Sequence, residues 1–294
     1  MPELPEVETF VRGLAPAVGR TIASAEVLDA RLAVSAKDLV GTRIAGIRRR
    51  GKYIEIDLGD GRSLVIHLRM SGRLRLECRE CEAKYTRMIL RLDDGQCVYF
   101  VDPRRLGTAD VYEEGFELPL GLEPLDATFT TAALAELASP SRAPIKQLLL
   151  DQRKVAGIGN IYAAEALWRA RIDPRRPANA LSKAEVGRLH KAIVGVLGEA
   201  IAQLGTTLGT SVSDYRPTAA EGGSFQNHLA VGEKAGYLGR ARRAEPETGG
   251  LPGERAHEGL VADVDLERGA GLLAKLLGAE DVVGVAVGGD DAPD

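Results

Sequence analysis

The sequence of 294 residues is poor in cysteine: it contains three, and none of them follows Cys97. Three thiols cannot form a full disulfide framework, so the chain is not a disulfide-stabilised secreted scaffold. No run of about 18 apolar residues occurs, which excludes a membrane-spanning helix. The first residues lack the basic and apolar segments of a secretory signal. Together these absences predict a cytoplasmic protein.

Negative charge is concentrated at one end of the chain. The formal net charge is -4, but residues 244–294 alone hold twelve acidic and three basic side chains. The preceding 243 residues hold 35 basic and 30 acidic side chains, so the body of the protein is mildly basic. A basic body suits a polyanionic partner such as nucleic acid, whereas a glycine-rich acidic tail is expected to be solvated and disordered.

Hydrophobic periodicity divides the body into two parts. Residues 5–18 have near-helical spacing, and residues 21–111 contain short β-branched runs separated by the hairpin-turn pairs Asp60-Gly61 and Asp94-Gly95. After Pro119 the composition changes, and helices are predicted at residues 131–137, 145–152, 160–169 and 182–203. The pattern predicts a mostly antiparallel β domain with one N-terminal helix, followed by an α-helical domain.

The most reactive group that the sequence predicts is the amine of Pro2. Removal of Met1 leaves Pro2 as a secondary amine, which titrates near ~8 and is more available as a free base than a lysine near ~10.4. Such an amine can attack an aldehyde-level carbon and form an iminium. The carboxylates of Glu3 and Glu6 are close enough in sequence to transfer protons. The alternative is that Pro2 and Pro5 only begin a helix whose N-terminus favours acidic residues.

Six motifs, in the same order along the chain, carry a resemblance to one family. They are Met1-Pro-Glu-Leu-Pro-Glu-Val-Glu-Thr9, Gly51-Lys-Tyr53, His67-Leu-Arg-Met-Ser-Gly72, Asp102-Pro-Arg-Arg-Leu-Gly107, Leu149-Leu-Asp-Gln-Arg-Lys-Val-Ala-Gly-Ile-Gly-Asn-Ile-Tyr162 and Gly223-Ser-Phe-Gln226. Through these motifs, residues 1–230 resemble the formamidopyrimidine-DNA glycosylases. The resemblance implies an α+β fold with three parts. These are an N-terminal β-sandwich with a helix (residues 1–115), a helix–two-turn–helix domain (residues 124–230) and a degenerate finger region with an acidic tail (residues 231–294).

The resemblance also implies an activity. Members of this family remove 8-oxoguanine and formamidopyrimidines from double-stranded DNA and then cleave the strand by β,δ-elimination. Pro2 would be the nucleophile that attacks C1′ of the damaged nucleoside, and Glu3 would be the acid and base. Glu6 would be a supporting carboxylate, and Lys52 would hold a phosphate near the lesion. Considered without the family, Lys52 is equally well explained as a solvated lysine of a hairpin.

A flipped nucleotide leaves a gap in the duplex, which protein side chains fill. Met70, Arg104 and Leu106 match the family's void-filling positions, although Leu106 replaces the aromatic residue that is usual there. Leucine can still act as a wedge, but it loses stacking worth roughly 1–3 kcal/mol per base. The alternative for Met70 is an ordinary core methionine.

Cations and exposed backbone amides are predicted to bind phosphate. The candidates from the family motifs are His67, Arg69, Arg104, Arg105, Lys146 and Asn160. Gly157 and Gly159 would allow close approach of the backbone, and a helix that begins at Asn160 would offer free N–H groups to an anion. The alternative is an ordinary turn with an asparagine cap. A loop within residues 206–216 would close over the flipped base, with Ser211, Val212 and Tyr215 as candidates.

The zinc finger that ends most bacterial members of this family is absent. Its four ligands come from two Cys-x-x-Cys pairs, and the only such pair here is Cys78 and Cys81. Because a structural zinc site needs four ligands, we expect no metal and no cofactor, and a surface loop with two thiols. Residues 231–243 are interpreted as a finger remnant that offers Arg240, Arg242 or Arg243 to phosphate. The tail beyond it is either a disordered appendage or the product of a reading-frame shift.

Two other functions remain open from the sequence. The same scaffold can excise oxidised pyrimidines, although Leu4-Pro5 after Glu3 favours the purine branch. The chain could instead be a damaged-DNA-binding protein without turnover, if loss of the finger prevents productive engagement. In each case the expected partner is damaged double-stranded DNA, bound by a monomer in the cytoplasm, where it would be associated with the nucleoid.

Overall fold

The structure, a computed structural model, describes residues 1–77 and 84–205. The first part of the chain contains two helices and eight strands: α1 (Leu4–Gly13), β1 (Ile22–Val27), α2 (Ala36–Leu39), β2 (Ile44–Arg50), β3 (Tyr53–Leu58), β4 (Ser63–His67), β5 (Arg73–Glu77), β6 (Thr86–Leu92), β7 (Cys97–Val101) and β8 (Thr108–Tyr112). The second part contains four helices: α3 (Thr131–Ala138), α4 (Ile145–Leu150), α5 (Asn160–Ala170) and α6 (Lys183–Ala202). Short 3-10 turns lie at Ala15–Ala17 and Ala178–Ala180.

The strands form two antiparallel sheets of four, with the orders β1-β6-β7-β5 and β2-β3-β4-β8. Apolar side chains that alternate along each strand meet between the sheets, as expected for sheets buried on one face. The predicted turns Asp60-Gly61 and Asp94-Gly95 lie between β3 and β4 and between β6 and β7. The α+β fold with an N-terminal β-sandwich and one leading helix is therefore confirmed.

Helix α1 contributes to two hydrophobic cores. Val7 and Phe10 are fully buried in the core of the sandwich, whereas Leu4 is fully buried in the core formed by α3–α6. The sequence predicted one helix over residues 5–18, but α1 ends at Gly13 and a 3-10 turn follows it. Glycine is a poor helix former, and Pro16 lacks the N–H that a continuous helix would need. Helix α1 thus joins the two parts of the body.

The helices of the second part follow the predicted pattern closely. Ser182 and Glu185 form the predicted capping box of α6, in which Glu185 N–H donates to Ser182 Oγ at 3.3 Å and Ser182 N–H donates to the Glu185 carboxylate at 2.8 Å. Helix α4 ends at Leu150, two residues before the prediction, because Asp151 is extended. Helix α5 is capped at its C-terminus by Arg171, which has a left-handed φ of 55°.

All described residues belong to one compact unit. The predicted boundaries at residues 115, 124 and 231 stay predictions. None of the helices in the described part of the chain is both long and apolar enough to cross a membrane.

Candidate active site

The carboxylate of Glu3 lies at the N-terminus of α5. It accepts hydrogen bonds from the backbone N–H groups of Gly159 at 2.8 Å, Ile161 at 2.9 Å and Tyr162 at 3.3 Å. The sequence predicted that these amides would hold a phosphate, but in the structure they hold a carboxylate of the protein itself. The helix N-terminus remains an anion site, as the aligned peptide dipoles favour. Asn160 is exposed at the same turn, and its contact with phosphate stays a prediction.

Two glycines allow α1 to approach α5 this closely. A Cβ atom on Gly159 would lie 2.3 Å from Glu3 Cδ, and a Cβ atom on Gly157 would lie 2.9 Å from Leu4 Cβ. Gly157 also has a left-handed φ of 81°, and its carbonyl accepts a hydrogen bond from Leu4 N–H at 3.1 Å. These glycines therefore allow a close approach, as predicted, and the segment that approaches them is the start of α1.

Glu6 lies one turn along α1 and is 1% exposed. Its Oε2 accepts a hydrogen bond from Glu3 N–H at 2.8 Å, and its Oε1 accepts one from the hydroxyl of Tyr162. No local pattern indicates a role for Tyr162, because the residue stands at the end of a motif and has the spacing of any residue in a helix. Donors at the N-terminus of α5 thus contact both carboxylates, and the backbone of Glu3 also donates a hydrogen bond to Glu6.

The amino terminus, Lys52 and Lys146 share this environment with the two carboxylates. Burial raises the pKa of Glu3, and the charge of Lys52 and the three helix amides oppose that rise. Burial lowers the pKa of the Lys52 amine, which Glu3 and Glu6 oppose. Burial also lowers the pKa of Lys146 and of the terminal amine of Met1, whose charged neighbours include Arg104. A carboxyl whose pKa is raised beside amines whose pKa values are lowered is the arrangement that acid–base chemistry requires.

Glu123 holds the hairpin turn that carries Lys52, and sequence analysis missed it. Its buried carboxylate accepts hydrogen bonds from Gly51 N–H at 2.5 Å, Arg49 Nη1 at 2.7 Å and Arg50 Nη1 at 2.9 Å. The available signal was the basic run before Gly51, which needs a counter-charge. Glu123 lies 72 residues after Gly51, which is beyond the reach of any local pattern.

His67 ends β4, opposite Tyr53 on β3, with the two rings 4.6 Å apart in an edge-on arrangement. Its Nδ1 accepts a hydrogen bond from Arg69 N–H at 3.1 Å, which requires that nitrogen to be unprotonated. Burial lowers the pKa of His67 to about 4, with smaller contributions from Arg69 and Lys52. The imidazole is therefore neutral at pH 7 and presents Nε2–H as its donor.

The low pKa of His67 predicts a loss of stability in acid. The folded state holds the His67 proton with a pKa of about 4 and the unfolded state with a pKa of 6.5, so the unfolded state binds more protons between these values. This contribution is complete above pH 6.5 and is lost as pH falls towards 4. Over this pH range the wild type should lose up to ~3 kcal/mol of unfolding free energy that a His67→Gln variant does not lose. Urea unfolding measures this difference. A wild-type pH slope in His67→Gln would contradict the assignment.

The three predicted void-filling residues lie on two loops, and the carboxylate of Asp102 accepts hydrogen bonds from both loops. Met70 is 41% exposed and Leu106 is 43% exposed, so the alternative of a core methionine is excluded. Asp102 is buried and accepts hydrogen bonds from the N–H groups of Arg104, Leu106 and Gly107 at 3.2, 2.7 and 2.7 Å. The same carboxylate accepts a hydrogen bond from Ser71 Oγ. The outward position suits a wedge, and the wedge role itself stays a prediction.

Arg105 is engaged within the protein. Its guanidinium donates to both oxygens of buried Asp29, with Nε–Oδ2 at 2.7 Å and Nη2–Oδ1 at 2.6 Å, and this pairing holds the pKa of Asp29 far below its usual range. Arg105 also has a left-handed φ of 55°, as does Arg69 at 52°. Sequence analysis did not identify Asp29. The phosphate contacts predicted for Arg69 and Arg105 stay predictions.

Comparison with known proteins places this geometry in a family. The model of the formamidopyrimidine-DNA glycosylase N-terminal domain matches residues 1–109, and the model of the family's H2TH domain matches residues 120–212. The chain belongs to the formamidopyrimidine-DNA glycosylase family. The resemblance predicted from the motifs is confirmed.

Relatives in this family match most of the chain. The formamidopyrimidine-DNA glycosylase of Chloroflexus aurantiacus is 43% identical over 80% of this chain and 88% of its own. That of Moorella thermoacetica is 44% identical over 85% and 92%. Among solved structures, the MutM (Fpg) protein of Thermus thermophilus has a TM-score of 0.68 and 42% identity over 76% of this chain and 84% of its own. A Lactococcus lactis Fpg mutant in complex with Fapy-dG containing DNA has a TM-score of 0.67 and 36% identity over 74% and 84%.

Several predicted family residues lie outside the described residues. They are the base-loop candidates Ser211, Val212 and Tyr215, the pair Cys78 and Cys81, and the finger-remnant arginines Arg240, Arg242 and Arg243. Within residues 1–77 and 84–205, no three His, Cys, Asp or Glu side chains are grouped so that they could hold a metal ion. The expectation that the protein needs no metal or cofactor stays a prediction.

Proposed function

We propose that the protein is a base-excision repair glycosylase with AP lyase activity, which removes oxidised purines through the amine of Pro2. One observation carries the proposal: Pro2 is buried at the start of the chain, and the terminal amine of the adjoining Met1 interacts with Glu3, Glu6 and Lys52. The relatives named above are formamidopyrimidine-DNA glycosylases, and several of the similar structures are complexes with damaged DNA. These comparisons support oxidised purine in double-stranded DNA as the substrate.

The first chemical step joins Pro2 to the sugar. The nitrogen lone pair of Pro2 forms a bond to C1′, and the glycosidic bond breaks as the base leaves with its electron pair. The proton that the Pro2 nitrogen loses neutralises the leaving base. Glu3 can protonate the sugar ring oxygen because burial raises the pKa of its carboxyl, and opening of the ring yields the iminium. Burial lowers the pKa of the Met1 terminal amine, and the same burial would favour the neutral Pro2 amine that the attack needs once Met1 is removed.

The iminium then drives strand cleavage. Loss of a proton from C2′ expels the 3′ phosphate, and a second elimination expels the 5′ phosphate. The iminium nitrogen accepts the electrons in both eliminations, and water finally releases Pro2. Lys52, whose turn is fixed by Glu123, would bind a phosphate beside the reacting sugar.

The remaining residues would bind and distort DNA. We assign phosphate contacts to His67, Arg69, Arg104, Arg105, Lys146 and Asn160, gap filling to Met70, Arg104 and Leu106, and closure over the base to Ser211, Val212 and Tyr215. The protein would act as a monomer without a cofactor, on nucleoid DNA in the cytoplasm. The domain boundaries proposed for this enzyme are residues 1–115, 124–230 and 231–294.

Borohydride trapping tests the proposal and identifies the nucleophile. We expect the wild-type protein to form a covalent adduct with an 8-oxoguanine duplex and none with the undamaged duplex. Digestion and mass spectrometry should place the adduct on a peptide that begins at Pro2. Lys52 is the competing amine, because it is buried in the same site and its pKa is lowered. An adduct on Lys52 would contradict the mechanism, and an adduct with thymine glycol but not with 8-oxoguanine would contradict the purine assignment.

A further inference from the structure

Tyr162 touches both carboxylates of the proposed active site. Its backbone N–H donates to Glu3 Oε2 at 3.3 Å, and its hydroxyl donates to Glu6 Oε1. The residue lies in the first turn of α5 and is 1% exposed. One residue on the helical part of the body therefore reaches the two acidic groups at the start of the chain.

The Glu6 carboxylate depends on a small set of partners because it is buried. Its other oxygen, Oε2, accepts a hydrogen bond from Glu3 N–H at 2.8 Å. A buried carboxylate keeps its charge only where donors and cations replace the lost water. The charged groups that surround this site are Glu3, the amino terminus, Lys52, Lys146 and Arg104. The Tyr162 hydroxyl is a charge-assisted donor to Glu6, of the kind that is stronger than a neutral hydrogen bond.

The backbone of Gly205 also lies close to the Glu6 carboxylate. A Cβ atom on Gly205 would lie 2.8 Å from Glu6 Oε1, and Gly205 follows the end of α6 with a left-handed φ of 79°. The Tyr162 hydroxyl and the Gly205 backbone therefore both lie close to Glu6 Oε1, while Oε2 accepts the hydrogen bond from Glu3 N–H.

We propose that Tyr162 is a positioning residue for the glycosylase reaction: its hydroxyl fixes the Glu6 carboxylate against the peptide N–H beside the Pro2 amine. The inference rests on the proposed function of that amine. Without the hydroxyl, Glu6 loses a donor to its anion, which favours the protonated carboxyl and frees it to rotate. The start of α1, and with it the Pro2 nitrogen, is then held less firmly.

A Tyr162→Phe variant keeps the ring and removes only the hydroxyl. We expect its single-turnover trapping rate with an 8-oxoguanine duplex to fall about tenfold or more at neutral pH. The acid limb of its pH–rate profile should move to higher pH, while the trapped fraction and the affinity for a tetrahydrofuran-containing duplex stay at wild-type values. Tyr99→Phe is the matched control, because Tyr99 is also fully buried but lies on β7 in a separate cluster. A wild-type rate and profile in Tyr162→Phe, or a lower trapped fraction with the wild-type rate constant, would overturn the inference.

A double-mutant cycle tests whether Tyr162 acts through Glu6. We expect Tyr162→Phe to slow trapping about tenfold in the wild-type background but less than about twofold in a Glu6→Gln background. Equal losses in both backgrounds would show that Tyr162 acts elsewhere. An absence of any adduct with the wild-type protein would contradict the proposed function and the inference together, whereas a normal wild-type adduct with no effect of Tyr162→Phe removes the inference alone.

Discussion

A Gly159→Ala variant is expected to lose excision and trapping activity by ~100-fold or more. The added Cβ atom would lie 2.3 Å from Glu3 Cδ and 2.5 Å from Glu3 Oε1, so the carboxylate must move away from its place. It then loses the N–H donors of α5, and the acid that opens the sugar is displaced by roughly an ångström or more. Displacements of that size are sufficient to cost about two orders of magnitude in rate. Single-turnover excision of 8-oxoguanine measures the effect directly.

Gly195→Ala is the matched control for this substitution. Gly195 lies on α6, and a Cβ atom there would meet nothing within 4 Å. Because alanine favours a helix over glycine, this variant should be more stable by up to ~1 kcal/mol and fully active. If Gly159→Ala kept the wild-type excision rate, Glu3 would not act from the position that the structure gives it.

A Glu123→Ala variant is expected to lose about 3–5 kcal/mol of unfolding free energy. The carboxylate is 6% exposed, and Arg49, which pairs with it, is 10% exposed, so the substitution removes the nearer of two carboxylates that pair with a buried charge, the other being Glu8 at 3.2 Å. It also removes the acceptor for Gly51 N–H at the turn that carries Lys52. Urea unfolding measures the loss, and weaker binding of an abasic duplex should accompany it in the fraction that remains folded.

Glu199→Ala provides the comparison for Glu123→Ala. Glu199 pairs with Arg169 at 2.7 Å, but its side chain is 52% exposed, and such pairs contribute only about 0–1 kcal/mol. If the two variants lost similar amounts, the Glu123 cluster would be no more than a surface ion pair. If a destabilised Glu123→Ala protein kept the wild-type DNA affinity, the geometry of the turn would not matter for phosphate binding.

Local signals in the sequence predicted the elements well. The Asp94-Gly95 turn and the capping box of Ser182 and Glu185 depend on residues close together in the chain, and both appear where the patterns indicate. Helix ends were less predictable, because the effect of Gly13 and Pro16 on the first helix depends on how α1 packs. Such ends are decided by tertiary contacts as much as by propensity.

The partners of the site residues could not be predicted from local patterns. Glu3 lies 156 residues before Gly159, and Asp29 lies 76 residues before Arg105, so no helical or strand period connects them. The family motifs identified Glu3 and the Gly157–Asn160 segment separately. That they bind one another follows only from the packing of the start of α1 against the N-terminus of α5.

That packing has a consequence for recombination among relatives. Leu4 fills the core of the helical part, and Glu3 accepts hydrogen bonds from α5. The sequence of the first residues must therefore be compatible with that of the segment around Gly159. A chimera joined between residues 112 and 131 would take the carboxylate from one parent and its amides from the other. Such hybrids should function only when the parents agree at both ends of this contact, so homologous exchange near the middle of the gene would be selected against.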